Sequence, residues 1–310
     1  MPFSYTGEVA ALGSAVCWAT CSIAFTKAGK SIGSLCVCLL RLVMAGICLL
    51  GVTTVIYSRC VPDAPPQAWG YLVLSGVLGL FFGDLCLFKA FLMIGPRLCL
   101  LIMSLWPPIA ALIAWPLLGE VLNLWQWLGM VITLFGIAVV VMERPQMGLQ
   151  GKKHHYVTGV LLAFMGAAGQ AAGYVISDIG MDIMDPTGSN PTEVSFMATQ
   201  IRVLSSALCF AVVFTAWRRW PQVIRSLKHT KAMTWLAFGS ISGAVLGVVL
   251  SMIAIRHTEA GVASTIMATA PVLILPYAIL VDRERVKVPA ILATIAAIGG
   301  VAILLLCKST

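Results

Sequence analysis

Residues 90–141 read AFLMIGPRLCLLIMSLWPPIAALIAWPLLGEVLNLWQWLGMVITLFGIAVVV, and residues 254–306 read AIRHTEAGVASTIMATAPVLILPYAILVDRERVKVPAILATIAAIGGVAILLL. One constant shift sets Ala90 on Ala254, Pro107 on Pro271, Glu120 on Glu284 and Gly136 on Gly300. Each stretch reads as the end of one apolar helix, two further helices and the tight joints between them. Matched prolines and matched lone glutamates in apolar surroundings mark an internal duplication.

The whole chain suits a bilayer. Its 310 residues are 60% hydrophobic and 10% charged, with a mean hydropathy of +0.97. Soluble domains carry about 25% charged residues, and a core of ordinary size would not hide this much apolar surface from water. The opening MPFSYTGEVAAL lacks a basic region, so a cleaved signal peptide is not expected. Most of the ten cysteines sit within apolar runs and none forms a C-x-x-C pair near histidine. They read as small buried hydrophobes rather than metal ligands or a disulfide framework.

Ten apolar runs approach the roughly 20 residues that cross a bilayer: 8–25, 32–57, 69–94, 98–118, 122–142, 157–177, 194–217, 233–255, 261–281 and 288–307. The expected fold is an all-α polytopic membrane protein with five helices per half, residues 1–142 and 157–310, joined by 143–156. Small-residue steps at Gly76/Gly79/Gly83, Gly166/Gly169/Gly173 and Gly239/Gly243/Gly247 permit close helix approach. The repeat continues upstream, setting Trp18 on Gln170 and Arg41 on Arg202. An odd number of helices per half inverts the second half relative to the first, a common plan in secondary transporters.

The charges agree with that inversion. One set of alternate connections holds Lys27, Lys30, Arg97, Arg144, Lys152, Lys153, Arg218, Arg219, Arg225, Lys228, Lys231, Arg283, Arg285 and Lys287; the other holds only Arg59, Arg256 and Lys308. Basic loops stay cytoplasmic, so both termini are expected outside, as is an acidic loop with Asp178, Asp182, Asp185 and Glu193. The net charge of +8 therefore reports topology and not a nucleic-acid partner.

Ionisable groups at membrane depth are functional candidates. Asp84 and Lys89 lie on the third helix, five residues apart and about 140° out of alignment at 3.6 residues per turn. Asp84 reads either as a proton or solute partner in an aqueous cavity or as a hydrogen-bonding link to a neighbouring helix. Lys89 either lines that cavity or snorkels to the cytoplasmic face. Arg41 and Arg202, repeat-related and well inside their helices, read as structural. Glu120 and Glu284 suit helix N-termini, where a carboxylate complements the dipole. Pro107, Pro108, Pro271 and Pro276 interrupt the fourth and ninth helices, providing breaks or hinges or being simply tolerated there. Trp18, Trp106, Gln170, Tyr174 and Gln200 offer rings or hydrogen bonds to a solute, or packing. No P-loop, G-x-S-x-G or H-E-x-x-H occurs, so no catalytic residue, cofactor or metal site is assigned.

The segment IGPRLCLLIMSLWPPIAALIAWPLLGEVLNLWQWLGMVITLFGIAVVV resembles the EamA-type repeat of the drug/metabolite transporter superfamily, with its apolar proline-containing helix, "LLGE" turn and glycine-containing last helix. The second copy is similar, with Asp282-Arg283-Glu284 in place of Leu-Gly-Glu. The resemblance implies ten helices in two inverted five-helix units, with the fifth and tenth peripheral. It implies a central cavity reached by Trp18, Asp84, Trp106, Pro107, Gln170, Tyr174 and Pro271, but not by Arg41 or Arg202. It further implies a secondary transporter of the cell membrane that exports an amino acid or other small metabolite by alternating access. A coupling proton is left open, as are the oligomeric state, an uptake or exchange carrier, and a non-transporting receptor or assembly partner. Asp84 has no acidic counterpart near Val248 to Leu250, which argues against a symmetric two-carboxylate proton site.

Overall fold

The computed structural model describes residues 6–57, 62, 64–118, 123–142, 153–186, 191–247, 250, 251, 254, 266, 267, 269–281 and 287–306. Among these residues all regular structure is helical. In chain order the elements are α1 (Thr6–Ile32), α2 (Ser34–Tyr57), α3 (Pro66–Gly76), a π-helical segment π1 (Val77–Gly83), α4 (Asp84–Met103), α5 (Trp106–Leu118), α6 (Leu124–Met142) and α7 (Lys153–Met184). Then follow α8 (Pro191–Ala216), α9 (Trp220–Leu227), α10 (Thr230–Gly239), π2 (Ser240–Gly247), α11 (Ala270–Leu273), α12 (Leu275–Leu280) and α13 (Val288–Leu306). Among the described residues, five spans are long and apolar enough to cross a membrane: Thr6–Ile32, Ser34–Ile56, Pro66–Met103, His155–Met184 and Glu193–Ala216. Apolar side chains such as Ile47, Phe135 and Leu208 face outward, as lipid-facing residues do.

The breaks have local causes. Gly95 adopts φ 81°, a left-handed conformation open to glycine, and Pro96 follows it, so the helical path bends at the expected joint between third and fourth runs. The fourth run is not one helix. Pro107 and Pro108 have no N–H to donate backwards, and just before them the chain tightens: Ser104 N bonds Leu100 O and Leu101 O, and Leu105 N bonds Ile102 O. Similarly, Ile274 separates α11 from α12, with Pro271 and Pro276 near their starts. Helix α7 runs beyond the expected end at 177, so Asp178 and Asp182 lie on its last turns instead of in a loop. Asp185 follows the helix, and Glu193 sits in the first turn of α8. Within the expected 218–232 connection lies the short α9, its Val223 and Ser226 buried while Ile224 and Leu227 stay exposed.

Packing follows the glycines. Helix α7 lies along α3, π1, α4 and α5; α1 lies along α10 and π2; α2 lies on α8; and α6 pairs with α13. A Cβ on Gly173 would sit 2.9 Å from the Gly79 Cα, and one on Gly169 3.0 Å from the Gly83 Cα. Backbone therefore touches backbone there. The opposite pair is looser, because Cys17 and Cys21 stand beside Gly247 and Gly243.

At the α6–α13 contact, a Cβ on Gly136 would meet the Ala293 carbonyl oxygen at 2.6 Å and Ala297 N at 2.8 Å. One on Gly300 would meet Gly129 O and Thr133 N, each at 2.6 Å. The contact is antiparallel, since moving down one helix moves up the other. Thr133 Oγ1 donates to Ala297 O at 3.3 Å across a separation of 164 residues, the same spacing that relates the duplicated stretches. Gly299, beside Gly300, has open space where its Cβ would be. Gly300→Ala should therefore lower stability by about 1–3 kcal/mol through overpacking, whereas Gly299→Ala should be neutral or slightly stabilising. Thermal melting of the two detergent-purified variants checks this contrast.

Candidate functional site

Polar groups gather where π1 hands over to α4. Gly79 and Gly83 admit α7, and the adjoining turns of α7 bring Gln170 and Tyr174 to that level. Asp84, the first residue of α4, is 3% exposed, the one buried carboxylate among the described residues. Both of its oxygens are engaged. Arg41 of α2 forms an ion pair through Oδ2, and Gln170 Nε2 donates to Oδ1 at 2.9 Å. An ionised side chain in a membrane interior demands such partners.

Aromatic rings hold the arginine. The Arg41 guanidinium carbon lies 5.2 Å from the Phe88 ring centre and 5.8 Å from that of Phe25, within cation–π range. Its Nε is buried without a hydrogen-bond partner. Arg202 of α8 approaches from the other side. A Cβ on Gly79 would lie 3.3 Å from Arg202 Nη2 and 3.6 Å from Gln170 Oε1, and Arg202 interacts electrostatically with both Asp84 and Tyr174. Backbone contacts fix this geometry: Ser75 Oγ donates to Gly173 O at 2.5 Å, and Ser206 Oγ donates to Gly76 O at 2.8 Å.

Trp106, at the start of α5, stacks obliquely on Tyr174 with ring centres 5.2 Å apart. Tyr174 keeps about half of its surface uncovered, at 52%. The structure thus unites Asp84 with Gln170 and Trp106 with Tyr174. Trp18 stands apart from both pairs on α1, 44% exposed, its Nε1 3.7 Å from where a Gly247 Cβ would lie. Gln200 is buried on α8. Lys89 is exposed and makes no pair with Asp84. Glu120 and Glu284 lie outside the described residues, as does the side chain of Pro107.

A family model, the EamA-like transporter family, matches residues 5–142 and 157–306. The chain belongs to the EamA-like transporter family. It is a multi-pass membrane protein whose family members are transporters and not enzymes. A solved structure titled "Crystal structure of protein" shares its fold, with a TM-score of 0.59 at 20% identity over 97% of each chain. None of the curated proteins matches it in sequence.

Two features of this EamA-like chain escape a helix-by-helix reading. Arg41 does touch Asp84. The available signal was electrostatic: a buried carboxylate needs a cation, and Arg41 lies at similar depth on the preceding helix. Lys27 Nζ lies 4.3 Å from the Trp235 ring centre and 5.4 Å from that of Tyr277, an aromatic cradle with no local sequence pattern. Breaking a buried ion pair by deleting one partner costs about 3–5 kcal/mol. Arg41→Met and Asp84→Leu should each destabilise on that scale, and the double variant should recover most of the loss. A double-mutant cycle of melting temperatures measures the coupling.

Proposed function

We propose that this protein is a secondary active transporter of the cell membrane that exports a small organic metabolite, such as an amino acid or related compound, by alternating access. The carrying observation is the cluster of Arg41, Asp84, Gln170 and Arg202. Three charged groups and one amide are drawn from four helices into one interior point of a transporter-family bundle. Charges at membrane depth are costly and mark transport pathways.

The proposed architecture is ten membrane helices in two inverted five-helix repeats, 1–142 and 157–310, joined by 143–156. Within the span Pro66–Met103, residues 66–95 would run about 45 Å at 1.5 Å each, one tilted crossing of a ~30 Å core, and the chain from Pro96 on begins the next. The bend at Gly95 suits the joint between two crossings. Shorter apolar helices at Pro108–Leu117, Leu124–Val140, Ala270–Leu280 and Val288–Ile303 supply further crossings. Inversion is supported by the antiparallel α6–α13 contact, whose partners exchange under the repeat shift. It is supported again by π1 and π2: Val77–Gly83 shifted by that spacing falls on 241–247, within Ser240–Gly247.

Orientation follows the charges. Gly159 packs on Ile94, which puts Arg97 and Lys153 at one end of the bundle. Gly180 packs on Leu72, which puts Asp178 and Asp182 at the other. The basic end is cytoplasmic on the positive-inside rule, and both termini then face out. Alkaline phosphatase joined after residue 310 should be active and a fusion within 143–156 inactive; the reverse pattern sinks this orientation.

We assign any coupling proton to Asp84, because protonating it would remove the charge that holds Arg41. Cells producing the protein, its Asp84→Asn variant or an empty vector should be compared by mass spectrometry of medium and cell extract. A solute accumulating outside only with the native protein is the expected result. Depletion of a solute from the medium would assign uptake or exchange, and unchanged solutes in both compartments would point to a receptor or assembly role. If Asp84→Asn keeps pH-dependent export, Asp84 is not the proton carrier.

A further inference from the structure

The charges in the site do not balance, and the imbalance sits on one residue. Asp84 has given one oxygen to Arg41 and the other to Gln170. Arg202 is left with no ion pair or side-chain hydrogen bond to any described residue, and its Nε is buried without a partner. The repeat explains the shortfall. Arg41 finds its carboxylate on the next helix at Asp84, whereas the residue that the repeat sets at that place in the second half is Val248. The duplicated arginine has been kept in the sequence and its counter-ion has not. A guanidinium that shares its one anion with a better-placed arginine is incompletely compensated, which is costly in a membrane interior, and a further anion that reaches it recovers part of that cost.

The surroundings say what kind of anion fits. Glycine at position 79 leaves Arg202 Nη2 uncrowded, because a Cβ there would lie 3.3 Å away. The same Cβ would lie 3.6 Å from the Gly173 Cα, so Tyr174, the next residue of α7, belongs to the same level of the bundle as Arg202. Its half-uncovered ring, stacked on Trp106, adds an apolar wall. A guanidinium with a phenol recognises a carboxylate, and the paired rings take an apolar or planar body. Arg41, Arg202 and Asp84 together carry a surplus of one positive charge, which a single carboxylate neutralises; Asp178, one turn along α7 from Tyr174, is the further anion on that side.

We propose that Arg202 anchors the carboxylate of an organic monoanion whose apolar body lies on Tyr174 and Trp106. This rests on the transporter reading for its physiological meaning, but it is a statement about binding and is tested without flux. The full-length protein in lipid nanodiscs is titrated with radiolabelled phenylacetate and, separately, with its neutral isostere phenylacetamide, with empty nanodiscs correcting for lipid partition. The native protein should bind the acid at least about tenfold more tightly, or ~1.4 kcal/mol. Arg202→Gln should bring the acid-to-amide ratio close to one, Arg202→Lys should restore part of it, and Tyr174→Phe should lower it while leaving the protein folded.

Equal binding of acid and amide by the native protein, or no saturable binding of either, overturns the proposal. So does an unchanged ratio in both Arg202→Gln and Tyr174→Phe. Should Arg202→Gln fail to fold, the ratios in Arg202→Lys and Tyr174→Phe decide. Acid preference without flux would keep this site and remove the transporter reading. Flux without acid preference would do the opposite.

Discussion

Helix α7 touches π1 backbone to backbone, and the polar site exists because it does. Between helices in lipid there is no hydrophobic driving force, so association depends on close van der Waals contact and on hydrogen bonds. Gly79, Gly83, Gly169 and Gly173 provide the first, and Ser75 donating to Gly173 O provides the second. A methyl group at Gly169 or Gly173 would meet the π1 backbone and push α7 outward. Gln170 would then leave Asp84. The site therefore depends on residues that have no side chain of their own.

The π-helical segment belongs to the same constraint. A π turn inserts an extra residue per turn and shifts the register of everything after it. Here the shift comes immediately before Asp84, in a stretch already held by Gly76 and Ser206. Its counterpart π2 lies at the matching place in the second half, against Cys17 and Cys21 of α1, where thiol side chains keep the helices further apart. The two interfaces share a register and differ in closeness. The tighter one holds the aspartate.

Much of this was legible in the chain itself. The duplicated stretches and the glycine ladders followed from spacing, because small residues and prolines leave periodic marks, and the family from the resemblance of those stretches to the EamA-type repeat. The joint at Gly95 was visible as a Gly-Pro step between apolar runs. What stayed hidden was set in three dimensions. Arg41 and Asp84 are 43 residues apart on different helices, and no local pattern says that their depths coincide. The same holds for Lys27 between Trp235 and Tyr277. The length of α7 was underestimated because Asp178 and Asp182 look like loop residues, although charged side chains on a helix end beyond the hydrocarbon cost little.

Symmetry in the backbone and asymmetry in the charges divide the labour. The π segments, the interruptions beside Pro107 and Pro271, and the Gly136 and Gly300 contacts recur in both halves. The elements that interrupt or closely pair helices are thus shared. The charges are not shared: the repeat sets Val248 where Asp84 stands, and among the described residues Arg41 is ion-paired to Asp84 while Arg202 only feels its charge. A fully symmetric charge set would be neutral and complete in itself, with no reason to take a solute. With one carboxylate for two matched arginines, the charge set follows the duplication less closely than the backbone does, and on our proposal a bound carboxylate makes up the difference.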